Sequence, residues 1–135
     1  MRLKDKVIIV TGSTTGIGKA IALACANEGA RIVVHGLEPD RGREVLSTMP
    51  AGKAVLHIED ISLENAARNL VEVALEAFGK IDAVVNNAAW VVSSNIDSTD
   101  LAFFRNVMEV NVLSPFALIR EALPALTRTR GCVLN

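Results

Sequence analysis

"TGSTTGIG", Thr11–Gly18, stands between a four-residue apolar run, Val7–Val10, and the amphipathic stretch "IGKAIALACANEG". A tight reversal demands backbone dihedrals that side chains resist, and a β-carbon there would hold a phosphate away from the main chain. Ile17, Ile21, Ala24 and Cys25 fall at i, i+4, i+7 and i+8. They predict a helix starting near Gly16 and closed by Gly29 in the left-handed conformation. Its free N–H groups and positive dipole end would then face an anion held by the turn. The competing reading is a glycine turn chosen only for close packing. A phosphate loop of the GxxxxGK[ST] kind fails, because Ser13 stands at its first glycine and Ala20 replaces its magnesium-binding hydroxyl. The spacing is GxxxGxG.

Outward from this turn, strand-length apolar runs alternate with helical patterns. Strands are predicted at Val7–Val10, Ile32–Val34, Ala54–Ile58, Ile81–Val85 and Cys132–Leu134. A short charged helix spans Asp40–Thr48. Ser62 is the predicted cap of the next helix, whose stripe Leu63, Ala66, Ala67, Leu70, Val71, Ala74 and Leu75 ends at Gly79. A long helix opens at Ser98, with Pro115 and Pro124 inside it, so a kink is expected near Asn111–Pro115. The alternation gives an α/β fold with a doubly wound parallel sheet and right-handed crossovers. No linker or repeat divides residues 1–135, which read as a single domain.

Half of the 135 residues are hydrophobic, 21% are charged and the net charge is −1. No basic field favours nucleic acid or an anionic membrane. Val7–Val10 is too short for a secretory signal, and the helical pattern over Leu101–Leu126 carries Arg105, Glu109, Arg120 and Glu121, which excludes a membrane span. Composition therefore points to a cytoplasmic protein. Cys25 and Cys132 have neither CxxC spacing nor a nearby histidine, so two reduced, buried thiols are expected and no metal site. His35 and His57 read as strand histidines satisfied by their neighbours.

Together with the leading threonine, GxxxGxG resembles the short-chain dehydrogenase/reductase family, and further matches occur in order along nearly the whole chain. "EDIS" sets Asp60 and Ile61 after the third strand, where the family holds the adenine ring between an acidic side chain and an apolar one. "NNAA", Asn86–Ala89, is similar to the family's NNAG element, with Ala89 in place of glycine and Asn87 and Ala88 near the ribose. Asn86 itself reads better as a tie between strands. "NVLSPF", Asn111–Phe116, is similar to the kinked helix in which an asparagine supports a water-linked proton relay. Trp90 reads equally as pocket lining or as a packed loop aromatic. The resemblance implies a Rossmann fold that is incomplete at the C-terminus, five strands of a larger sheet. It also implies a cofactor site of Gly12, Ser13, Thr15, Gly16, Ile17, Gly18, Leu37, Asp60, Ile61, Asn87, Ala88 and Ala89, with Asn111 as the one catalytic residue present.

The resemblance further implies hydride transfer between a nicotinamide and the carbon of a secondary alcohol or ketone, with the proton handled by tyrosine, lysine and serine. There is no tyrosine in this sequence, and Asn135 falls immediately before the family's serine. A piece of a longer enzyme, a truncated product and a non-catalytic dinucleotide sensor are the three readings. A methyltransferase on a related fold is disfavoured by NNAA and NVLSPF. For cofactor choice, the family's NAD-type aspartate aligns with Gly36 and its NADP-type arginine with Leu37, while Thr15 stands where NADP-dependent members carry a cation. With no cation at Thr15 or Leu37, the reading leans to NAD(H), with NADP(H) the alternative. Glu38 is a candidate for the ribose, and Arg41 and Arg43 for a phosphate. A homodimer or homotetramer is implied for the complete protein.

Overall fold

β1 (Val7–Val10) is the central strand of a five-stranded parallel sheet of order β3-β2-β1-β4-β5, in a computed structural model that describes residues 1–135. The chain runs β1, α1 (Gly16–Asn27), β2 (Arg31–Gly36), α2 (Pro39–Ser47), β3 (Ala54–Ile58), α3 (Ala66–Phe78), β4 (Ala83–Val85), α4 (Leu101–Met108), a π-helical turn (Glu109–Leu113), α5 (Ser114–Thr129) and β5 (Cys132–Leu134). All four strand pairings are parallel, with Ile8 opposite both Ile32 and Ala83. This is the doubly wound sheet expected from the sequence.

Both faces of the sheet are covered, which is why β1 and most of β2 read as unbroken apolar runs. Ile8, Val10, Ile32 and Val34 pack with Ala22 of α1 and Val45 of α2. Ile9, Val33 and Val84 turn the other way, onto Leu70 and Ala74 of α3 and Leu118 and Ala122 of α5. No helix is long and apolar enough to cross a membrane.

Several boundaries differ from the sequence reading for local reasons. α3 begins at Ala66 with Asn65 as its N-cap. Ser62 is instead drawn into a turn by Asp60, whose Oδ1 accepts from the Ser62 N–H (2.9 Å) and hydroxyl (2.7 Å). The long helix starts at Leu101, because Asp100 rather than Ser98 supplies the cap, accepting the Phe103 N–H at 2.8 Å. The kink expected near Asn111 takes the form of the π turn. The Ser114 N–H reaches back five residues to Glu109 C=O, and the Ser114 hydroxyl donates to the same carbonyl at 2.8 Å. Pro115 then falls in the first turn of α5, where a missing N–H is harmless, and Pro124 lies within that helix without ending it. The two thiols are unpaired, but only Cys25 is half-buried, its pKa raised by desolvation; Cys132, on the β5 edge of the sheet, is exposed. The expectation of two buried thiols fails there.

Asp82, just before β4, is 7% exposed and gathers the amino end of the sheet. Its carboxylate accepts the Val7 N–H at 2.9 Å and pairs with Lys6 (3.0 Å) and Lys80 (2.9 Å). Burial alone would raise its pKa, but Val7, Lys80 and Lys6 together hold it below the usual value. A depressed carboxylate contributes stability above its unfolded pKa, and that contribution is lost as pH falls through the folded value. Asp82→Asn is expected to cost about 2 kcal/mol at pH 7. Urea unfolding midpoints should converge with those of the unsubstituted protein as pH drops below about 4.

Candidate functional site

Parallel strands put all their carboxyl ends on one side, and the strand order takes the chain to one side of β1 for β2 and β3 and to the other for β4 and β5. The crevice left at such a switch point is where open α/β sheets hold ligands. A cavity of about 960 Å³ opens there. Its walls come from the glycine turn, the ends of β2, β3 and β4, and the start of the π turn.

The glycine turn is shaped by two left-handed residues, Gly12 (φ +62°) and Gly16 (φ +55°). A β-carbon at Gly12 would lie 3.0 Å from Ala88 Cα, whereas nothing stands within 4 Å of one at Gly16. Gly18 is needed for another reason: a β-carbon there would run into the Gly12 carbonyl and the Asn87 amide, so its absence lets α1 seat against the turn. The first amides of the turn are already engaged. Gly12 N–H donates to His35 Nδ1 (3.3 Å) and Ser13 N–H to the His35 carbonyl (2.7 Å). The amides of Gly16, Ile17 and Gly18, at the start of α1, find no acceptor in the chain. Of these, Gly16 and Ile17 line the cavity, and theirs are the groups that an anion in it would meet.

β4 exits directly beneath this turn and is stitched to it. The Thr11 hydroxyl oxygen accepts from both Asn87 N–H and Ala88 N–H at 3.0 Å and donates to the Val85 carbonyl at 3.3 Å. The Asn87 amide donates back to Thr11 C=O (2.9 Å) and Gly12 C=O (3.1 Å). Asn86 Nδ2 reaches Asn135 Oδ1 at 2.8 Å, a tie between the ends of β4 and β5.

At the far side, Asp60 lines the cavity beside Ile61. Bonds from the Ser62 hydroxyl and N–H hold its carboxyl below the usual pKa, so it is ionised at neutral pH, and both bonds fall on Oδ1, leaving Oδ2 uncommitted. Near the end of β2, Leu37, Glu38 and Arg41 line the wall. Arg41 Nε is paired with Glu38 at 2.9 Å and Arg43 with Asp40. Thr14 occupies the space that a β-carbon at Gly36 would need, so an acidic side chain at that position would have to displace it.

Of the residues singled out from the sequence, Gly12, Thr15, Gly16, Ile17, Leu37, Asp60, Ile61, Asn87, Ala88 and Ala89 line one cavity. Three do not. Ser13 is fully buried below the turn, its hydroxyl donating to Val10 C=O (2.7 Å) and accepting His35 N–H (3.0 Å). Gly18 lies behind the turn as a packing contact. The Asn111 side chain is spent on the loop after β4: its Oδ1 accepts Trp90 N–H at 2.7 Å and its Nδ2 donates to Trp90 C=O at 2.9 Å. Trp90, so held, packs edge-on to Phe103 and also faces the cavity, so both readings of it apply. Thr14, His35, Glu109 and Val110 line the cavity without having been singled out as site residues. For His35 a signal existed: a polar residue closing an otherwise apolar, doubly covered strand needs buried partners of its own.

Comparison with known proteins agrees with this geometry. The family model described as short chain dehydrogenase matches residues 6–135. Bovine (Bos taurus) L-fucose dehydrogenase is 36% identical over 135 residues, covering 99% of this chain and 49% of that protein. Meso-2,3-butanediol dehydrogenase of Serratia marcescens is 30% identical over all of this chain and 54% of its own length. Among solved structures, a short-chain dehydrogenase/reductase of unknown function from Caenorhabditis elegans, solved with cofactor, superposes with a TM-score of 0.91 at 24% identity, covering 98% of this chain and 52% of that one. A mutant short-chain dehydrogenase/reductase from Serratia marcescens gives 0.88 at 31% identity over 93% of this chain and 53% of its own. The chain thus spans about half the length of the relatives it matches.

Proposed function

This chain belongs to the short-chain dehydrogenase family, and from that premise we propose that the complete protein is an NAD(P)(H)-dependent oxidoreductase interconverting a secondary alcohol and a ketone. One observation carries the reading: the unsatisfied amides of Gly16 and Ile17 open into a switch-point cavity that Asp60 and Ile61 also line. An anionic diphosphate suits the first, and an adenine, with its amino group and flat apolar faces, suits the second. Asn87, Ala88 and Ala89, after β4, line the same cavity and are assigned to the ribose. Bound there, the dinucleotide supplies hydride exchange at its nicotinamide ring.

Proton handling is assigned to groups beyond Asn135, since no tyrosine occurs in the 135 residues. Residues 1–135 by themselves are expected to bind and not to turn over. With the Asn111 amide committed to Trp90, any part it takes in a proton relay falls to its main chain. Exposed apolar side chains along α4, the π turn and α5, among them Phe104, Val112, Phe116 and Leu123, support a homodimer or homotetramer.

NAD(H) is the favoured cofactor. Thr15 and Leu37 offer no cation to a 2′-phosphate, and Arg41 and Arg43 already have carboxylate partners. Fluorescence titration of the complete protein is expected to give NADH an affinity about tenfold above that of NADPH. A preference for NADPH would reverse the cofactor assignment, and binding of neither would remove the dinucleotide reading. Tight binding without oxidation of any secondary alcohol would favour a non-catalytic dinucleotide-binding protein instead.

A further inference from the structure

His35 lies at the end of β2 with 2% of its surface exposed, and every polar atom of its ring is used. Nδ1 lies 3.3 Å from the Gly12 N–H, which can only donate, so Nδ1 accepts. Nε2 lies 3.0 Å from the Glu59 carbonyl, which can only accept, so Nε2 carries the proton. The two contacts require one tautomer of a neutral imidazole. Glu59 is itself held in place: its N–H donates to Gly36 C=O (3.2 Å), its Oε1 accepts from Asn69 of α3 (2.9 Å), and its Oε2 lies 2.7 Å from His57 Nε2. The ring therefore joins two separately anchored pieces of chain. One is the glycine turn, and the other is the exit of β3, which carries Asp60 and Ile61.

We infer that His35 is a positioning residue that bridges the glycine turn to the β3 exit and so sets the distance between the diphosphate end and the adenine end of the cavity. This rests on the dinucleotide reading above. The ring touches no part of the ligand in this role; it fixes the two walls that do. Its surroundings suit the neutral form. Burial, and then His57 stacked 6.3 Å away, push its pKa down to about 4, although the bond to the Glu59 carbonyl and then the Glu59 and Asp60 carboxylates pull the other way.

Two measurements test the bridge. In the complete protein without ligand, nitrogen-15 NMR of histidine-labelled material at pH 7 should show His35 as the Nε2–H tautomer with Nδ1 accepting a hydrogen bond. A tautomer mixture, or an imidazolium at that pH, would overturn the inference with no variant needed. ADP-ribose, which carries adenine and diphosphate without the reacting ring, is the binding probe. His35→Leu, close in size but unable to bond, should weaken it about tenfold or more, since both ring hydrogen bonds are lost. His35→Asn places an amide oxygen near the Nδ1 position but cannot reach the Glu59 carbonyl, so it restores only half of the bridge and should stay at least about threefold weaker than the unsubstituted protein. Equal affinity in His35→Leu and the unsubstituted protein sinks this inference alone, and so does an Asn variant that binds as tightly as the unsubstituted protein. Failure of the unsubstituted protein to bind ADP-ribose at all sinks the functional reading and the ligand half of this inference, while the NMR result still decides the Gly12–His35–Glu59 bridge.

Discussion

Gly18→Ala is expected to weaken dinucleotide binding more than tenfold and to lower stability by about 2 kcal/mol. Gly18 is an ordinary helical residue, and on propensity alone alanine would stabilise α1 by up to about 1 kcal/mol. Packing reverses the sign. The new methyl group would meet the Gly12 carbonyl oxygen and the Asn87 amide, one of them backbone and both bonded to each other at 3.1 Å. Neither yields without opening the turn, and overpacking against such neighbours costs about 1–3 kcal/mol or more. The displaced groups are also those that aim the free amides of α1 into the cavity, so affinity and stability should fall together. Denaturant unfolding and an NADH titration on the same sample would check this. A variant that keeps its affinity within about twofold would show that the start of α1 is not where the diphosphate sits.

Thr11→Val is the second large effect expected, at about 2–3 kcal/mol. The substitution keeps the shape of the side chain and removes its oxygen. That oxygen accepts from Asn87 N–H and Ala88 N–H together. Asn87 N–H retains the Val85 carbonyl at 3.1 Å, while the alternative for Ala88 N–H is solvent from the cavity. Because Thr11 leads the glycine turn and Asn87 and Ala88 come after β4, one hydroxyl sets the separation of the two sides of the crevice. Thr11→Ser restores the oxygen and should regain all but about 1 kcal/mol, measured as the shift in unfolding midpoint. A Val variant as stable as the unsubstituted protein beside a destabilised Ser variant would assign the effect to the methyl group instead.

The sheet was legible because burial on both faces leaves a coarse mark: unbroken apolar runs at β1 and β2, a helical period at α1 and α3, and glycine where direction reverses. The cavity lining was legible in part for the same reason, since Gly12, Gly16, Asp60 and Asn87 all sit where a strand ends. Detail of a single hydrogen bond was not. Ser62 and Asn65 at α3, like Ser98 and Asp100 at α4, offer caps on chemistry that the sequence presents alike, and only the path of the chain decides that Asp60 takes Ser62 for a turn. Ser13 reads as a loop hydroxyl near a ligand, yet the register of β2 carries it under the turn to His35. Asn111 has the residue type for a relay, but the loop holding Trp90 claims its amide first.

The π turn gives that claim its geometry. One residue more than an α-helix accommodates is held between Glu109 and Ser114, and each added residue rotates the downstream helix by about 100°. α4 and α5 are therefore one rod in outline but two in phase: a side chain on α4 and its counterpart on α5 look toward different neighbours. The extra residue acts as an indexing step, by which the half that greets the loop after β4 and the half that lies on the sheet are tuned independently. Removing a single residue from this stretch would leave the rod unbroken and swing Asn111 off Trp90, dissolving the wall without disturbing the floor.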